Sequence, residues 1–272
     1  MKLKEYWPSW HEARRLRALA LGPLCTQRSD ALPLTVSLTS IPSRLHVLPL
    51  TVRSLLSQTR PARKVRLWLH RSLANALPQA LTQLRSDVFE IHWVDLTCSH
   101  RKLIHNLAAF PLETVVTCDD DLMYAPDWLA HLHAQHLQQP GTIVANECRQ
   151  ISRNAAGDLL PYKQWPRLAY GARSEQPLLP IGYAGVLYPP DSLDERVHDV
   201  DLFMRLAPKA DDLWFRAMAY LKGCPVGHSQ QAYPPAQPII GSQKVSLLKT
   251  NVRQDGNRLQ WQALCEHFGL DL

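Results

Sequence analysis

Thr114-Val115-Val116-Thr117-Cys118-Asp119-Asp120-Asp121 is the stretch on which the reading of this chain turns. Its first five residues are β-branched or small and apolar, the composition of a buried strand, and three carboxylates follow without a spacer. Adjacent carboxylates repel one another unless something offsets the repulsion. Hard divalent cations take oxygen ligands, and Mg²⁺ typically uses one or two carboxylates together with substrate phosphates. In a locally extended segment Asp119 and Asp121 point the same way and Asp120 the other. A plainer explanation is an acidic loop capping the helix that Pro126 opens. Asp127 already supplies negative charge to that first turn, so the cap does not call for three more.

Upstream of the turn the pattern is regular. Leu34-Thr35-Val36-Ser37-Leu38-Thr39 reads as a strand entering a loop at Ser40-Ile41-Pro42. Leu48, Val52, Leu55 and Leu56 recur at helical spacing within Leu45 to Gln58. Val65 to Leu69 is a second strand, Ala74 to Leu84 a second helix, Phe89 to Val94 a third strand ending at Asp95, and Lys102 to Phe110 a short helix. Alternation of this kind predicts an α/β fold built on a mostly parallel sheet with helices on both faces. Ligands of such sheets bind beyond the carboxyl ends of the strands. Thr39-Ser40, Asp95 and Asp119-Asp120-Asp121 all fall at those ends.

Downstream the pattern loosens. Pro126 to Leu137 reads as a helix, Thr142 to Ala145 and Gly185 to Tyr188 as strands, and Asp211 to Leu221 as a helix with Trp214, Ala217, Met218 and Leu221 on one face. Residues 151 to 183 read as a long loop or lid. The expected division is an extension over 1–30, one domain over 31–228 and a tail over 229–272 that packs on or closes it. Trp10 to Leu21 is expected to form a helix carrying Arg14, Arg15 and Arg17. It would pack on its own domain, or lie on an anionic membrane surface.

Composition bounds the partners. The chain has 272 residues, 46% hydrophobic and 20% charged, with a net charge of +6, the profile of a folded globular protein. No run reaches the length of a membrane span, and Met1 to Pro8 lack the apolar core of a signal peptide. The six scattered cysteines contain no C-x-x-C pair, so a cytoplasmic protein with reduced thiols is expected. Between Ala31 and Arg85 there is no acidic residue, while Arg44, Arg53, Arg60, Arg63, Lys64, Arg66, Arg71 and Arg85 all fall there. That half attracts anions: substrate phosphates, the inner membrane face or nucleic acid. Nucleic acid is not an expected partner, because no recognisable binding module is present.

A second acidic pair stands in Ala210-Asp211-Asp212-Leu213-Trp214, where one carboxylate can cap the helix and the other face a cleft. In order along the chain, Val36-Ser37-Leu38-Thr39-Ser40-Ile41-Pro42-x-Arg44, Ser54-Leu55-Leu56-x-Gln58-Thr59 and Val65-x-Leu67-Trp68-Leu69 open a pattern that continues well beyond them. It runs through Lys102-Leu103-Ile104, Cys118-Asp119-Asp120-Asp121, Tyr124-x-Pro126-x-Trp128-Leu129, Gly185 to Leu193 and Ala210 to Phe215. The whole, over about residues 34 to 222, resembles bacterial family-2-like glycosyltransferases of the GT-A fold.

That resemblance implies a GT-A-like, Rossmann-like sheet and transfer of a sugar from a nucleoside-diphosphate donor, a UDP-sugar first, to a hydroxyl of a glycan or lipid-linked acceptor. It implies Thr39, Ser40, Arg44, Asp95 and Lys102 around the nucleotide, with Asp119 and Asp120 on the ribose-diphosphate. Asp119 and Asp121 match the D-x-D motif that holds Mn²⁺ or Mg²⁺, and Asp212 or its neighbour Asp211 matches the catalytic base. His228, in Gly227-His228-Ser229, is a candidate to complete a metal shell, since imidazole is a common ligand. Ile181-Gly182-Tyr183-Ala184-Gly185 departs from the pattern in being less glycine-rich. In the expected chemistry a bound cation neutralises charge on the departing diphosphate. Asp212 takes the acceptor proton, and in-line attack inverts the anomeric centre, in bacterial glycan or polysaccharide biosynthesis. Metal-dependent hydrolysis of a nucleotide diphosphate and catalytically silent binding of a sugar nucleotide are the competing expectations.

Overall fold

A computed structural model describes residues 3–172, 174–242 and 248–270. The parts of the expected extension and tail at 1–2, 243–247 and 271–272 lie outside the described residues. In chain order the elements are α1 (Leu3–Ala18), α2 (Leu21–Cys25), β1 (Leu32–Thr39), α3 (Leu48–Leu56), β2 (Ala62–His70), α4 (Gln79–Thr82), β3 (Phe89–Val94) and α5 (Arg101–Ala109). There follow β4 (Val115–Thr117), β5 (Leu122–Met123), α6 (Trp128–Leu137), β6 (Ile143–Ala145), β7 (Cys148–Gln150), β8 (Leu178–Pro180) and β9 (Val186–Tyr188). The chain closes with α7 (Val200–Leu206), α8 (Asp211–Lys222), β10 (Val226–His228), β11 (Gln237–Pro238) and α9 (Gly256–Phe268).

Seven strands form the central sheet in the order β10-β6-β9-β4-β1-β2-β3. β1 pairs in parallel with β2 and β4, β2 with β3, and β6 with β10, while β9 alone runs antiparallel, between β4 and β6. The fold is therefore α/β with a mostly parallel central sheet and helices around it, as the sequence pattern predicts. Buried on both faces, β1 and β2 carry near-continuous apolar runs, as central parallel strands do. Two short antiparallel pairs, β5 with β11 and β7 with β8, sit outside the sheet.

The strand order decides where a ligand can enter. From β1 the chain builds outward through β2 and β3, then returns to the other side of β1 with β4. That reversal makes the gap between the carboxyl ends of β1 and β4 the switch point of the sheet, the usual ligand crevice of open α/β folds.

Some elements differ from their expected extents. The helix expected over Ala74 to Leu84 shrinks to the single turn of α4, because Pro78 cannot continue a helix and holds Leu77 out of the helical region. The helix after the acidic turn begins at Trp128 rather than Pro126. Residues 151–183 form a largely irregular stretch, tied down by β8 on β7 and by the buried Trp165. His131, on α6, is half-buried with its Nε2 at 3.0 Å from Ser229 Oγ.

Helix α1 packs on α3 and β11 through Ala13 and Leu16, which meet Val47, Leu50, Met123 and Ile239. The buried Arg53 fastens it by donating from Nε to Leu16 O at 2.6 Å and from Nη2 to Leu19 O. Ser9 Oγ donates to Pro238 O at 2.7 Å. At the other end α9 packs on α8, with Trp261 and Leu264 buried. All six cysteines are free thiols, and Cys118 and Cys148 are fully buried. Among the described residues no helix is long and apolar enough to cross a membrane.

Candidate functional site

A cavity of about 710 Å³ opens at the switch point. Its floor is the end of β1, the turn after β4 and the first turn of α8, which are far apart in sequence. Thr39, Ser40, Arg44, Lys102, Asp119, Asp120, Asp121, Asp211 and Asp212 all line it.

The three aspartates divide between two cations. Arg44 reaches Asp120 Oδ1 with Nη1 at 2.6 Å and Asp121 Oδ2 with Nη2 at 3.0 Å. Ser40 Oγ donates to Asp120 Oδ2 at 2.5 Å, and Thr51 Oγ1 donates to the Asp120 carbonyl at 2.9 Å. Asp119 faces the other way, 3.4 Å from Lys102 Nζ. The simple alternation expected of an extended turn thus gives way to a split in which Arg44 draws Asp120 and Asp121 together.

Lys102 is the hinge of the electrostatics. Buried at 4% exposure, it lies 2.8 Å from Asp211 Oδ2 as well as 3.4 Å from Asp119 Oδ1. Burial alone would push its pKa down, but Asp211 and Asp119 more than offset this and hold the ammonium well above its usual value. Asp211 answers in kind. Burial opposes its ionisation, yet Lys102 keeps its pKa below the ordinary carboxylate value. At Asp212 burial together with the Asp211 charge outweighs Lys102 and raises the pKa to about 7. Asp119 is also raised, by burial first and by repulsion from Asp211 and Asp120, with Lys102 opposing.

Neither member of the Asp211-Asp212 pair caps α8 through its side chain. Asp212 Oδ2 instead accepts from the backbone N–H of Gly182 at 2.9 Å. A Cβ at Gly182 would fall 2.6 Å from Asp212 Oδ1 and 2.9 Å from Lys102 Nζ, so this approach requires glycine. Gly185, at φ +103°, leaves room for the Trp128 ring, whose Nε1 donates to Ala184 O at 2.8 Å. Tyr124 OH accepts from Asp119 N at 3.0 Å and donates to Tyr183 O at 2.9 Å. The glycine-poor stretch before β9 is thereby fixed to the acidic turn.

The sequence did not single out several residues that line the cavity. Arg101, 2% exposed, donates to Thr39 Oγ1, to Ser40 O and, at 2.8 Å, to Leu96 O, which ties the end of β1 to the loop after β3. Its place immediately before Lys102 was the available signal. Glu147 meets Arg167 at 2.9 Å and accepts from Tyr183 OH, all three in the lining. Asn251 and Asn257, from the tail, line the cavity together with Tyr162. Single polar residues, whether in a loop like Glu147 or in a helix like Arg101 and Asn257, carry no periodicity that would announce them.

Two expected residues stand elsewhere. Asp95 is exposed at the end of β3 and pairs with Arg71, whose Nη2 donates to Asp95 Oδ2 at 2.8 Å, and it does not line the cavity. β3 is the edge strand, two places from the switch point. His228 sits on β10 at the far edge, buried and stacked on Tyr170 at 5.1 Å, and is likewise absent from the lining. Burial lowers its pKa.

Among the described residues no three His, Cys, Asp or Glu side chains gather as a ready metal cage. The floor nevertheless suits a hard divalent cation. The cavity is lined by six acidic side chains, Asp119, Asp120, Asp121, Glu147, Asp211 and Asp212, and by six basic ones, Arg44, Arg101, Lys102, Arg149, Arg167 and Lys209. The Arg101 bonds given above all end on uncharged oxygens. The Asp119–Asp121 turn presents carboxylate oxygens, the donor chemistry that such an ion takes. Asp119 and Asp121 are the residues that would hold it, with the remaining ligands drawn from a phosphate-bearing partner.

No protein-family model matches the chain, and no curated protein matches it in sequence. Similar solved structures include a 4-diphosphocytidyl-2C-methyl-D-erythritol synthase from Anaerococcus prevotii, at 12% identity and a TM-score of 0.44 over 84% of this chain and 95% of that one. A mannosyltransferase from Pyrobaculum calidifontis in complex with GDP-Man and Mn²⁺ is another, at 14% identity and a TM-score of 0.43 over 96% of this chain and 81% of that one. At these identities the likeness concerns the course of the backbone only.

Proposed function

We propose that this chain is a metal-dependent glycosyltransferase that moves a sugar from a nucleoside-diphosphate donor, a UDP-sugar first, to a hydroxyl of a glycan or lipid-linked acceptor. The observation that carries this reading is the meeting of the Asp119–Asp121 turn with the Asp211-Asp212 pair, across Lys102, in one cavity at the switch point of the sheet. The two acidic groups differ in state, which suits them to different tasks. Asp119 and Asp121 hold the divalent cation, Mn²⁺ or Mg²⁺, which when bound neutralises charge on the departing diphosphate. Arg44 and Ser40 fix the turn, and the basic end of β1 receives the nucleotide.

Asp211, kept ionised by Lys102, orders the floor. Asp212, with its raised pKa, takes a proton near neutrality and is the general base. The acceptor oxygen bonds to the anomeric carbon as the bond from that carbon to the diphosphate oxygen breaks, and the acceptor proton passes to an Asp212 carboxylate oxygen. Attack opposite the leaving group inverts the anomeric configuration. The proposed role lies in bacterial glycan or polysaccharide biosynthesis.

Two measurements test it. A nucleotide-sugar screen by thermal shift, with and without Mn²⁺, is expected to give a metal-dependent rise in Tm for at least one donor, because a ligand of the native state stabilises it. With that donor, Asp121→Ala is expected to lose the metal-dependent rise and turnover while remaining folded. Asp212→Asn is expected to keep the rise and lose transfer by roughly 10² to 10⁴-fold. Full transfer by either variant overturns the corresponding role. Release of free sugar at the same rate with and without acceptors would identify a hydrolase instead.

A further inference from the structure

The exposed face of α1 is the least expected part of the surface. Trp7 is 66% exposed, Tyr6 45% and Trp10 38%, although large aromatic side chains normally withdraw from water. They are not scattered. Trp7 meets Tyr6 edge-on with ring centroids 6.4 Å apart and Trp10 edge-on at 6.2 Å, and His11 packs against Trp10 at 5.0 Å. One turn further on, the Arg14 guanidinium stands 5.6 Å over the Trp10 ring. Residues 7, 10, 14 and 17 recur at helical spacing, so Trp7, Trp10, Arg14 and Arg17 share one side, while Ser9, Ala13 and Leu16 are buried on the other.

The face is also held rigidly. Arg53 bonds to the carbonyls at the end of α1 and Ser9 to β11, so the aromatic cluster cannot fold back on the body without breaking those bonds. Its position is therefore a property of the folded chain, and some surface must cover it or tolerate it.

We infer that this face of α1 docks the protein on an anionic lipid bilayer, with Trp7, Tyr6 and Trp10 in the headgroup region and Arg14 and Arg17 against the lipid phosphates. The chemistry of the face selects this occupant. Indole and phenol rings, apolar with one polar atom, concentrate at the membrane–water interface. The charge is complementary: on α1 Glu12 is taken up by Arg15 at 2.6 Å, while the exposed aromatic side carries Arg14 and Arg17 and no carboxylate. A helix that lies in the interface needs this combination of buried rings and basic residues, and needs no spanning length. The inference stands apart from the proposed catalysis, since none of these residues lines the cavity.

The test is co-sedimentation of the full chain with vesicles of pure phosphatidylcholine and of phosphatidylcholine with about 30% phosphatidylglycerol, read together with tryptophan emission. The wild-type chain is expected to bind the anionic vesicles, with a blue shift of emission, and to release in high salt. Arg14→Gln and Arg17→Gln are each expected to lower partitioning to anionic vesicles by roughly fivefold, the effect of one basic residue near such a surface. The double variant Trp7→Ser with Trp10→Ser is expected to abolish both binding and the shift. Circular dichroism and Tm unchanged in these surface variants would show that the fold is intact. Binding that is absent in the wild type, or unaltered in the Trp7→Ser, Trp10→Ser variant, overturns the proposal. So does a Trp7-dependent dimer in sedimentation velocity without lipid, which would make a second copy of the chain the occupant.

Discussion

Gly182 shows how much of the site depends on a missing atom. Its amide holds Asp212 Oδ2 at 2.9 Å, and the space where a Cβ would stand is filled by the ends of the Asp212 and Lys102 side chains. Both are flexible ends, so an added methyl displaces them at little cost to the fold. For Gly182→Ala, Tm is expected to fall by no more than a few degrees, corresponding to about 1 kcal/mol. Transfer is expected to fall by roughly tenfold to a hundredfold, because misplacing a reacting group by an ångström costs that much. Equal turnover in the two proteins would show that the Asp212 position does not matter. The sequence made the acidic residues legible, since three charges after an apolar strand are conspicuous. It could not show that Arg44 binds two of them and Lys102 the third, because pairing across distant segments leaves no local pattern. Nor could strand-end logic tell Asp95 from Thr39 and Ser40. All three end strands, but only β1 borders the switch point.

Among the elements, the first three strands of the sheet were the easiest to anticipate. β1, β2 and β3 lie where their apolar runs place them, and Phe89–Val94 is the observed extent of β3. The direction of β9 was not legible, because Val186-Leu187-Tyr188 has the same composition whichever way it runs. α1 had a basic, amphipathic pattern but no signal of its docking site, which is assembled from α3, β5 and the segment after β11. Leu16, fully buried among Leu50, Met123 and Ile239, is the central contact of that docking. Leu16→Ala is expected to lower stability by about 2 to 5 kcal/mol, measured by urea denaturation. Its neighbour Arg17, which is exposed, serves as the control, with a change from Arg17→Ala within about 0.5 kcal/mol. A loss at Leu16 no larger than at Arg17 would mean that α1 is only loosely attached.

A buried ring contributes to the response of the whole molecule to acid. His100 has no exposed surface and stacks on Phe203 with centroids 4.2 Å apart and planes 7° from parallel. Burial, aided by the Lys102 charge and opposed by Asp211, lowers its pKa to about 4. Above about pH 6.5 the imidazole is neutral in both folded and unfolded chains and contributes nothing to the pH dependence. Between about 6.5 and 4 the unfolded chain binds a proton that the folded one refuses, so stability falls as the pH falls, by a total on the order of 3 kcal/mol. Glu90 acts in a lower window. Although burial opposes its ionisation, Lys64, His92 and Arg66 bring its pKa down to about 2, so its contribution is lost only as the pH drops below the ordinary carboxylate range. Replacing His100 by Phe is therefore expected to flatten the decline in Tm between pH 6.5 and 4.5 while leaving the steeper loss at lower pH. Parallel profiles for the two proteins would remove His100 from this role.

The antiparallel strand β9 has a consequence for how the protein is made. β4 is finished at Thr117, but the strand that covers its open edge ends at Tyr188, and β6 can join the sheet only through that same strand. About 70 residues separate the two events, on the order of 4 to 14 s at the usual 5 to 20 residues per second of synthesis. For that interval the edge of β4 has no strand of this chain to pair with, the kind of open edge that recruits other strands. Asp212, which Gly182 holds, and β10, the last strand of the sheet, are both made only after β9. A ribosome paused before residue 188 would therefore hold a chain that is both inactive and prone to aggregate, and chaperone demand should concentrate in that window.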